Sequence, residues 1–572
     1  MPQPHRLGLI AAVVAVVSVG LVVRLVAVQL VDGTTYAGDT RSEVLQRVSL
    51  PATRGTIYDR EGNVLAVSVP RFDVVADDFL ITSPQGEASA LAPLIGAQAG
   101  SLASELHQRN GYVVLAKEVT PSLESRLSAL DEPGISFVPD DARLDPSGEV
   151  FEPVLGGVNA PDGTVQGDAG LELEYNDLLT GRAGSEVVPQ SPSGLTMPGS
   201  PSHVVQAVQG NGVVLTLDEP LQVEVTRDVT AEMRSTGADS GIAVVMAVHS
   251  GAILAMVDLV RTKAGAIVPA AQNLAVTGVY QPGSVMKLAT ISFAIQDGLV
   301  TPSTTLTVPY SLEVGGYTFE DADWHPTEQL SVAQILAQSS NIGTTEIAER
   351  LGAQRLSAAL ADLGYGKPTG LGWPGESDGL VSSPSQWWGS TLPTMAIGTG
   401  EAVTPLQILD AYTAVANGGT SVVPHLLAET VSGNGGQHQV PVKPGRRLLD
   451  ASTVKSLVPM FEGVVEDGTA PCAEVPGYDV AGKTGTAQVP DSGSLGYVPN
   501  DFNASFVGFV PAQEPELSGI VVLNHPTPIY GGSVAAPVFS KIMSYALRHF
   551  DIPPPPGPVL PQAPGADCAT AQ

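Results

Sequence analysis

The chain has 572 residues and is long enough for more than one domain, because single domains usually run to about 100–200 residues. Only 15% of its residues are charged, while glycine (62) and proline (47) are frequent, which indicates a loop-rich folded protein rather than a coiled coil or a disordered chain. Fifty-eight acidic against 27 basic residues give a formal charge of -31, which argues against nucleic-acid binding, since that requires a basic surface.

The first predicted element is a membrane-spanning helix. Leu7 to Val23 form an unbroken run of apolar and small residues, and after Arg24 the pattern resumes as LVAVQL. With the Arg24 side chain reaching toward the interface, the segment approaches the roughly 20 residues that span a bilayer. A cleaved signal peptide, normally with a shorter apolar part and a small-residue cleavage site, is the alternative. We expect an uncleaved anchor at residues 7–30 behind a short cytoplasmic head at residues 1–6.

The next segment, LPATRGTIYDREGNVLAVSVP at residues 50–70, predicts two short strands around a turn at REGN. Its Arg54, Asp59 and Arg60 predict either a local ion-pair network or charges in solvent on a surface turn. From there to about residue 204, short β-like runs alternate with loops and no cluster of catalytic residues stands out. We interpret this region as a spacer or interaction module.

A large α/β domain is predicted from roughly residue 210 to residue 550. NGVVLTLDEPLQVEVTRDVTAEM indicates a strand that leads through Asp218 into an amphipathic helix, and SGIAVVMAVHSGAILAMV indicates a hairpin. Two more strands, ASFVGFVPA and SGIVVLNHP, and a helix, APVFSKIMSYALRHF, lie near its end. Strands at both ends predict a single sheet that joins distant parts of the chain.

The last residues, 553–572, are proline-rich and are expected to be extended or disordered. They contain Cys568, and the only other cysteine is Cys472. This count excludes a disulfide-rich scaffold and a cysteine-based metal cluster. The sequence allows a single disulfide bond between these two cysteines, but two unpaired thiols are the simpler expectation.

A candidate nucleophile lies in YQPGSVMKLAT, where Ser284 precedes Lys287 by three residues. Apolar residues continue at helical spacing to Gly298, so the serine should lie near a helix amino terminus with the lysine on the same face. The helix dipole favours negative charge on the serine oxygen, and a buried neutral lysine can take its proton. Alone the pair is a weak signal, and a helix cap beside a solvated lysine is the more ordinary interpretation.

Two further motifs change that balance. AQSSNIGTTEIAERLG places Ser339 and Asn341 in a turn before a helix, and DVAGKTGTAQV places Lys483 to Thr486 in a strand-like run. Ser-x-x-Lys, Ser-Asp-Asn and Lys-Thr-Gly form the motif set of penicillin-binding proteins and class A β-lactamases. Here Ser340 stands in place of the aspartate, at the motif position whose side chain does not reach into the site in that family.

In order and spacing the three motifs resemble the transpeptidase domain of penicillin-binding proteins. RGTIYDREGNVLAVSVP is similar to the segment after the anchor in class B members, which lack a glycosyltransferase domain, and AGLELEYNDLLTGRAG, IGTGEAVTPLQ and YGGSVAAPVFSKIM are similar to later segments. The resemblance is strongest to FtsI-like, division-type enzymes. It implies an α/β (α+β) fold with a serine β-lactamase-like transpeptidase domain at residues 206–552, on a β-rich pedestal of the dimerisation type at residues 31–205.

The resemblance also implies roles for the first two motifs. Ser284 would attack the penultimate D-alanine carbonyl of a peptidoglycan stem peptide, with Lys287 as its general base. Ser339 would relay a proton to the leaving D-alanine. Asn341 would hydrogen-bond the substrate amide and hold Lys287 in place.

The third motif, by the same resemblance, would bind substrate. Lys483 would supply positive potential for the substrate carboxylate, and the hydroxyl groups of Thr484 and Thr486 would donate to it beside Gly485. The backbone N–H groups of Ser284 and Thr486 would form the oxyanion hole.

No metal or cofactor is implied, and His325 in DADWHPT is better interpreted as surface or loop structure than as a ligand. The implied partners are donor and acceptor stem peptides, β-lactam antibiotics, a SEDS-type glycosyltransferase and other division-complex membrane proteins. The implied location is the cell membrane, with one span and an extracytoplasmic catalytic domain.

Several alternatives stay open at this point. An elongation-type class B transpeptidase shares these motifs, and a D,D-carboxypeptidase differs only in using water as the acceptor. A β-lactamase needs a water-activating group that the sequence does not identify, and a β-lactam sensor normally has further membrane spans. A division scaffold with a retained pocket is the one alternative that is not an enzyme.

Overall fold

The structure is a computed structural model that describes residues 4–31, 45–160, 165–189, 203–491, 493 and 496–555. The proline-rich tail, expected to be extended or disordered, lies outside the described residues from position 556 onward.

The strands, numbered in chain order, are β1 Leu45–Leu50, β2 Ile57–Tyr58, β3 Val64–Ala76, β4 Val113–Val119, β5 Ile135–Leu144, β6 Val158–Asn159, β7 Gln166–Gly167, β8 Gly184–Pro189, β9 His203–Val205, β10 Gly212–Leu215, β11 Ser240–Ala247, β12 Ile253–Arg261, β13 Ile267–Pro269, β14 Thr305–Val308, β15 Ser311–Val314, β16 Tyr317–Glu320, β17 Glu328–Ser331, β18 Leu427–Val431, β19 Gln437–Gln439, β20 Ala481–Pro490, β21 Tyr497–Val510 and β22 Leu517–Asn524. The α-helices are α1 Pro4–Val26, α2 Pro84–Ile95, α3 Ala99–Glu105, α4 Pro121–Ser128, α5 Glu152–Leu155, α6 Gly170–Glu174, α7 Asn176–Leu179, α8 Glu219–Thr236, α9 Leu274–Thr277, α10 Lys287–Gln296, α11 Val332–Ala337, α12 Asn341–Leu351, α13 Ala353–Asp362, α14 Thr391–Ile397, α15 Pro405–Ala416, α16 Ala451–Glu466 and α17 Gly531–His549.

The chain forms two compact units, of which one comprises residues 1–53 and 181–210. Its described part contains α1 and the antiparallel sheet β1-β8-β9. Residues Gly8–Gln29 have a mean hydropathy of 2.7, and no part of this segment is buried. Within the described residues it is the one helix long and apolar enough to cross a membrane, at the place where the sequence predicts one.

The second unit, residues 54–180 and 211–572, contains a six-stranded sheet in the order β13-β12-β11-β22-β21-β20. Strand β11 pairs along its length with β22, so that Ser240 lies opposite Asn524. The predicted joining of the two ends of this domain is therefore confirmed. Helices α8, α15 and α17 pack against these strands, and the burial explains why β11 and β22 are almost continuously apolar.

A second sheet in this unit is built from two distant parts of the chain, in the order β19-β18-β10-β2-β3-β4 with β5 paired to β3. The predicted turn at REGN is confirmed, because β2 and β3 are antiparallel around it. Strand β10 runs parallel to β2 and pairs on its other edge with β18. The sheet thus contains strands from both sides of the boundary that the sequence predicts at residue 205.

A buried cluster of ion pairs fixes the position of Arg54, where the second unit begins. The Arg54 Nε lies 2.6 Å from one carboxylate oxygen of Glu172, and the Arg143 Nε lies 2.7 Å from the other. Arg54 also donates to the side chains of Asn176 and Thr180, at 2.8 and 3.0 Å. One carboxylate between two guanidinium groups satisfies charges that would be costly to bury alone.

The predicted ion pairs among Arg54, Asp59 and Arg60 are therefore wrong, because each of these side chains interacts with other residues instead. Arg54 and Asp59 are buried, so the solvent-exposed alternative is wrong for them as well. Asp59 accepts from the backbone and side chain of Asn63 at 2.8 Å, and thereby closes the turn. Arg60 lies 3.7 Å from Glu61 in an exposed pair. Short-range spacing in the sequence did not indicate a partner 118 residues away.

Cys472 lies in a 3₁₀ turn, Pro471–Ala473, and is disulfide-bonded. The expectation of an unpaired thiol is wrong for this residue. Cys568, the other cysteine of the chain, lies outside the described residues.

Replacing Glu172 by glutamine tests the buried cluster. The variant keeps the shape of the side chain but removes the charge between two buried guanidinium groups, so we expect the free energy of unfolding to fall by about 3–5 kcal/mol. Denaturant unfolding of the full-length protein in detergent measures this change. Glu61→Gln, in the exposed pair with Arg60, is the control and should cost less than about 1 kcal/mol. Equal effects of the two substitutions would contradict the assignment.

Candidate active site

Ser284 lies in a 3₁₀ turn, Gly283–Met286, directly before α10. The sequence predicts a helix amino terminus here, and the structure differs only in this tighter first turn and in the end of the helix at Gln296. Ser284 is partly exposed, whereas Val285 and Met286 are fully buried. The turn therefore exposes its serine, while the two residues that follow are packed in the protein interior.

Three hydrogen bonds fix the position of this turn. The Gly283 N–H donates to the Gly398 carbonyl at 2.9 Å, and the Tyr412 hydroxyl donates to the Val285 carbonyl at 2.8 Å. The Tyr280 N–H donates to the carbonyl of residue 403 at 3.1 Å. The segment IGTGEAV, which the resemblance singles out, thus lies against the nucleophile turn.

Lys287 connects the first motif to the second. Its side chain is fully buried, and its Nζ donates to the Ser339 carbonyl at 2.5 Å, the Ser339 Oγ at 3.3 Å and the Asn341 Oδ1 at 2.9 Å. Burial lowers the pKa of Lys287 to about 7, although the charge of Asp321 acts in the opposite direction. A solvated surface lysine is therefore ruled out.

The second motif forms the turn before α12, as predicted. Ser339 has a positive φ of 61°, and Ser340 caps the helix by accepting the Gly343 N–H at 2.9 Å. The Ser340 hydroxyl donates at 2.7 Å to Asp321 Oδ2, a buried carboxylate that also accepts the N–H groups of Asn341 and Ile342 at 2.5 and 3.0 Å.

Asp321 is the functional-site residue that the sequence analysis missed. It belongs to none of the three motifs and directly follows β16, so no spacing rule linked it to the turn at Ser339. The available signal was Ser340 itself. Where the motif set has an aspartate, this chain has a hydroxyl, and the carboxylate comes from another segment.

The third motif lies on β20, at the edge of the large sheet. Lys483 is fully buried, and its Nζ donates to the Thr484 Oγ1 at 3.1 Å. The Thr486 Oγ1 accepts the Gly531 N–H at 3.2 Å. Burial lowers the pKa of Lys483 well below its usual range, and the nearby Lys287 ammonium lowers it further.

Glycine allows β20 to pack directly against the nucleophile turn. A Cβ on Gly485 would lie 2.7 Å from the Pro282 carbonyl oxygen, and a Cβ on Gly283 would lie 2.9 Å from the Thr486 carbonyl oxygen. Gly283 also has a φ of +63°, which disfavours other residues. The first and third motifs thus meet backbone to backbone, and all eight predicted site residues lie on three adjoining segments.

A partly exposed serine one helical turn before a buried lysine of lowered pKa fits a serine acyl-transfer site. Sequence models of two families match the chain: the penicillin binding protein transpeptidase domain at residues 241–544 and the penicillin-binding protein dimerisation domain at residues 49–215. The chain belongs to the penicillin-binding protein transpeptidase family, as an FtsI-like class B member.

Relatives of known name support this membership. The chain is 32% identical to the penicillin-binding protein PbpB of Mycobacterium tuberculosis, over 89% of this chain and 80% of that protein. It is 31% identical to the peptidoglycan D,D-transpeptidase FtsI of Escherichia coli, over 91% of this chain and 88% of that protein.

Solved structures agree with the fold. A peptidoglycan synthetase of Bifidobacterium adolescentis has a TM-score of 0.73 at 29% identity, covering 91% of this chain and 99% of that one. Penicillin binding protein 3 of M. tuberculosis, solved with aztreonam, has a TM-score of 0.69 at 29% identity, covering 90% of this chain and 100% of that one. The predicted α/β fold class is confirmed.

Ser340→Asp tests the role of Asp321 as the carboxylate behind the second motif. The substitution places a second carboxylate where the hydroxyl now donates at 2.7 Å, so one of the two must stay protonated. Because this raises a carboxyl pKa in the folded state, stability should fall by roughly 2–4 kcal/mol above the usual carboxyl pKa and recover as pH decreases.

Thermal unfolding of Ser340→Asp across pH measures this effect. Ser340→Ala is the matched control, since it loses the helix cap and one donor to Asp321, at a cost of about 1 kcal/mol each, but adds no second carboxylate, so its loss should depend on pH much less. A pH-independent loss in the aspartate variant would count against the interaction.

Proposed function

We propose that the protein is a peptidoglycan D,D-transpeptidase that cross-links stem peptides through an acyl-enzyme on Ser284 during septal wall synthesis. The observation that carries the proposal is the buried Lys287, which joins the nucleophile turn to Ser339 and Asn341 through hydrogen bonds of 2.5–3.3 Å. Membership in the family and the names of the relatives support the reaction class.

Acylation would begin with attack of the Ser284 Oγ on the carbonyl carbon of the penultimate D-alanine. The hydroxyl proton passes to the neutral amine of Lys287, and a pKa of about 7 leaves a useful fraction of this amine free at neutral pH. The C–N bond to the terminal D-alanine then breaks, and Ser339 relays a proton to the departing amine. An amine of a second stem peptide attacks the ester, forms the cross-link and releases Ser284.

Substrate recognition would fall to β20. The carboxylate of the terminal D-alanine would lie near Lys483, with Thr484 and Thr486, on either side of Gly485, as hydroxyl donors. Burial disfavours the charged form of Lys483, so a bound carboxylate would restore that charge. The N–H groups of Ser284 and Thr486 would form the oxyanion hole, where one donor typically contributes about 3 kcal/mol to transition-state stabilisation.

β-Lactams would acylate the same serine, because their strained amide reacts as the D-alanine amide does but the leaving group stays attached. Penicillin binding belongs to the family, and relatives have been solved with aztreonam and ampicillin. A bound drug then blocks the approach of the acceptor amine.

Membrane attachment and partners follow from the same proposal. Helix α1 would anchor the protein by a single span, after a short head at residues 1–6, and would place the catalytic domain outside the cytoplasm. Residues 31–205 would form the pedestal and residues 206–552 the transpeptidase domain. A SEDS-type glycosyltransferase and other division-complex proteins would contact the anchor and pedestal.

Intact-protein mass spectrometry with a labelled penicillin tests the acyl-enzyme. We expect the full-length protein in detergent to gain one stable adduct that maps to Ser284 and is absent from Ser284→Ala. Ser250→Ala, in the exposed β11–β12 turn, is the control and should be labelled normally. No adduct with intact drug would favour a scaffold, and rapid ring opening would indicate a β-lactamase. A donor peptide that is hydrolysed even when an acceptor amine is supplied would indicate a D,D-carboxypeptidase.

The pH dependence of acylation tests Lys287 as the base. Since the neutral amine is the reactive form, the second-order rate constant for penicillin acylation should rise with pH through about 7. Stopped-flow acylation from about pH 5 to about pH 9 measures this limb. Lys287→Arg, which stays protonated, should lower the rate by roughly 10²- to 10⁴-fold. A rate that does not change across this pH range would exclude Lys287 as the titrating base.

A further inference from the structure

Asp321 and His325 lie directly behind the second motif, in the loop between β16 and β17. The His325 Nε2 lies 3.1 Å from Asp321 Oδ2, and its Nδ1 lies 2.8 Å from the Pro326 carbonyl oxygen. Asp321 is buried, and the His325 side chain is 19% exposed. The histidine is thus the more exposed member of the pair.

Four donors converge on the Asp321 carboxylate. Oδ1 accepts two N–H groups from the first turn of α12, and Oδ2 accepts the Ser340 hydroxyl and faces His325. Negative charge near a helix amino terminus is favourable, and the two carboxylate oxygens can accept all of these hydrogen bonds. This side chain, together with the Ser340 cap, therefore fixes the start of α12.

The contacts of His325 define its protonation state. A backbone carbonyl can only accept a hydrogen bond, and an ionised carboxylate can only accept as well. Both ring nitrogens face such acceptors, so both contacts are hydrogen bonds only when each nitrogen carries a proton. The geometry therefore calls for a cationic imidazolium beside Asp321.

We propose that Asp321 and a protonated His325 form a positioning pair that fixes the start of α12 and so aligns Ser339 and Asn341 on Lys287. This role rests on the proposed function, since it acts through the base of the acylation step. Neither residue touches substrate: the effect passes from Asp321 to the Asn341 N–H, and from the Asn341 Oδ1 to the Lys287 Nζ.

Charges around the pair agree with this assignment. Burial by itself would lower the pKa of His325, but the hydrogen bonds to Pro326 and Asp321 and the charges of Asp321 and Glu328 outweigh it, so the pKa is raised. The Tyr310 ring lies edge-on to the imidazole with 6.1 Å between centroids. His325 should therefore support Asp321 at low and neutral pH and lose this contribution as pH rises through its raised pKa.

Asp321 also acts on the base by its charge. Burial lowers the pKa of Lys287, the charge of Asp321 raises it, and Lys483 is the other ionisable side chain facing it from β20. Removing the carboxylate charge should therefore lower the pKa of Lys287. The pH range in which the acylation rate constant rises would therefore move to lower pH. A purely structural role of Asp321 would not produce this shift of the rising limb.

Three aspartate variants separate charge from geometry. Asp321→Asn should lower the penicillin acylation rate constant on the order of 10- to 100-fold, because the base is misplaced, and should move the rising limb to lower pH. Asp321→Glu should also be slow, because its longer side chain displaces α12, but it should keep the limb near the wild-type pH. Asp323→Asn removes an exposed carboxylate two residues away and should behave as wild type.

Two measurements on His325 complete the test. In the ¹³C-histidine NMR spectrum of the wild-type protein, the signal missing from His325→Ala should titrate above the ordinary histidine value of about 6.5. His325→Ala should slow acylation less than Asp321→Asn does, because Asp321 keeps its other donors.

Each outcome decides the matter. An Asp321→Asn variant with the wild-type acylation rate constant and the wild-type pH dependence would overturn the proposed pair. If that variant does not fold, a His325 signal that titrates at or below about 6.5 in the wild type would overturn it instead. Failure of the proposed function is a separate result, since it would appear as a wild-type protein that forms no Ser284 adduct.

Discussion

The whole catalytic arrangement depends on burying one ammonium group. Lys287 lies inside the protein, where a charge is costly, and three oxygen acceptors from the turn at Ser339 offset only part of that cost. The remainder appears as the lowered pKa that makes the amine a base at neutral pH. Any change that opens this turn to water would make the lysine an ordinary cation, unable to serve as the base proposed for Ser284.

Glycines determine how closely the segments around the nucleophile turn can pack. At Gly283 and Gly485, β20 and the nucleophile turn meet without intervening side chains, and Lys287 directly after this turn is fully buried. Gly398 closes the turn from the other side, where a Cβ would overlap the Gly283 carbonyl. Backbone contact of this kind holds the reacting groups in place and excludes solvent at the same time.

Local patterns in the sequence were sufficient for the parts of the fold and site that are local. The hairpin β11–β12 and the start of α8 after Asp218 could be predicted because each rests on neighbours a few positions apart. The eight motif residues could be singled out because each lies in a short motif that resembles one of a known set. Asp321 and the Glu172 partner of Arg54 could not, because their contacts join segments about 20 and 118 residues apart. Single-sequence spacing carries no information on such pairings.

The shared sheet of the second unit limits how this chain can be divided. Strands β10 and β18 come after residue 205, yet β10 pairs with β2 from the first hundred residues. A catalytic fragment cut at residue 206 would keep β10 but leave its backbone donors and acceptors open along one edge. Such an edge recruits other chains, so we expect the excised fragment to aggregate unless the earlier strands that complete this sheet are kept with it.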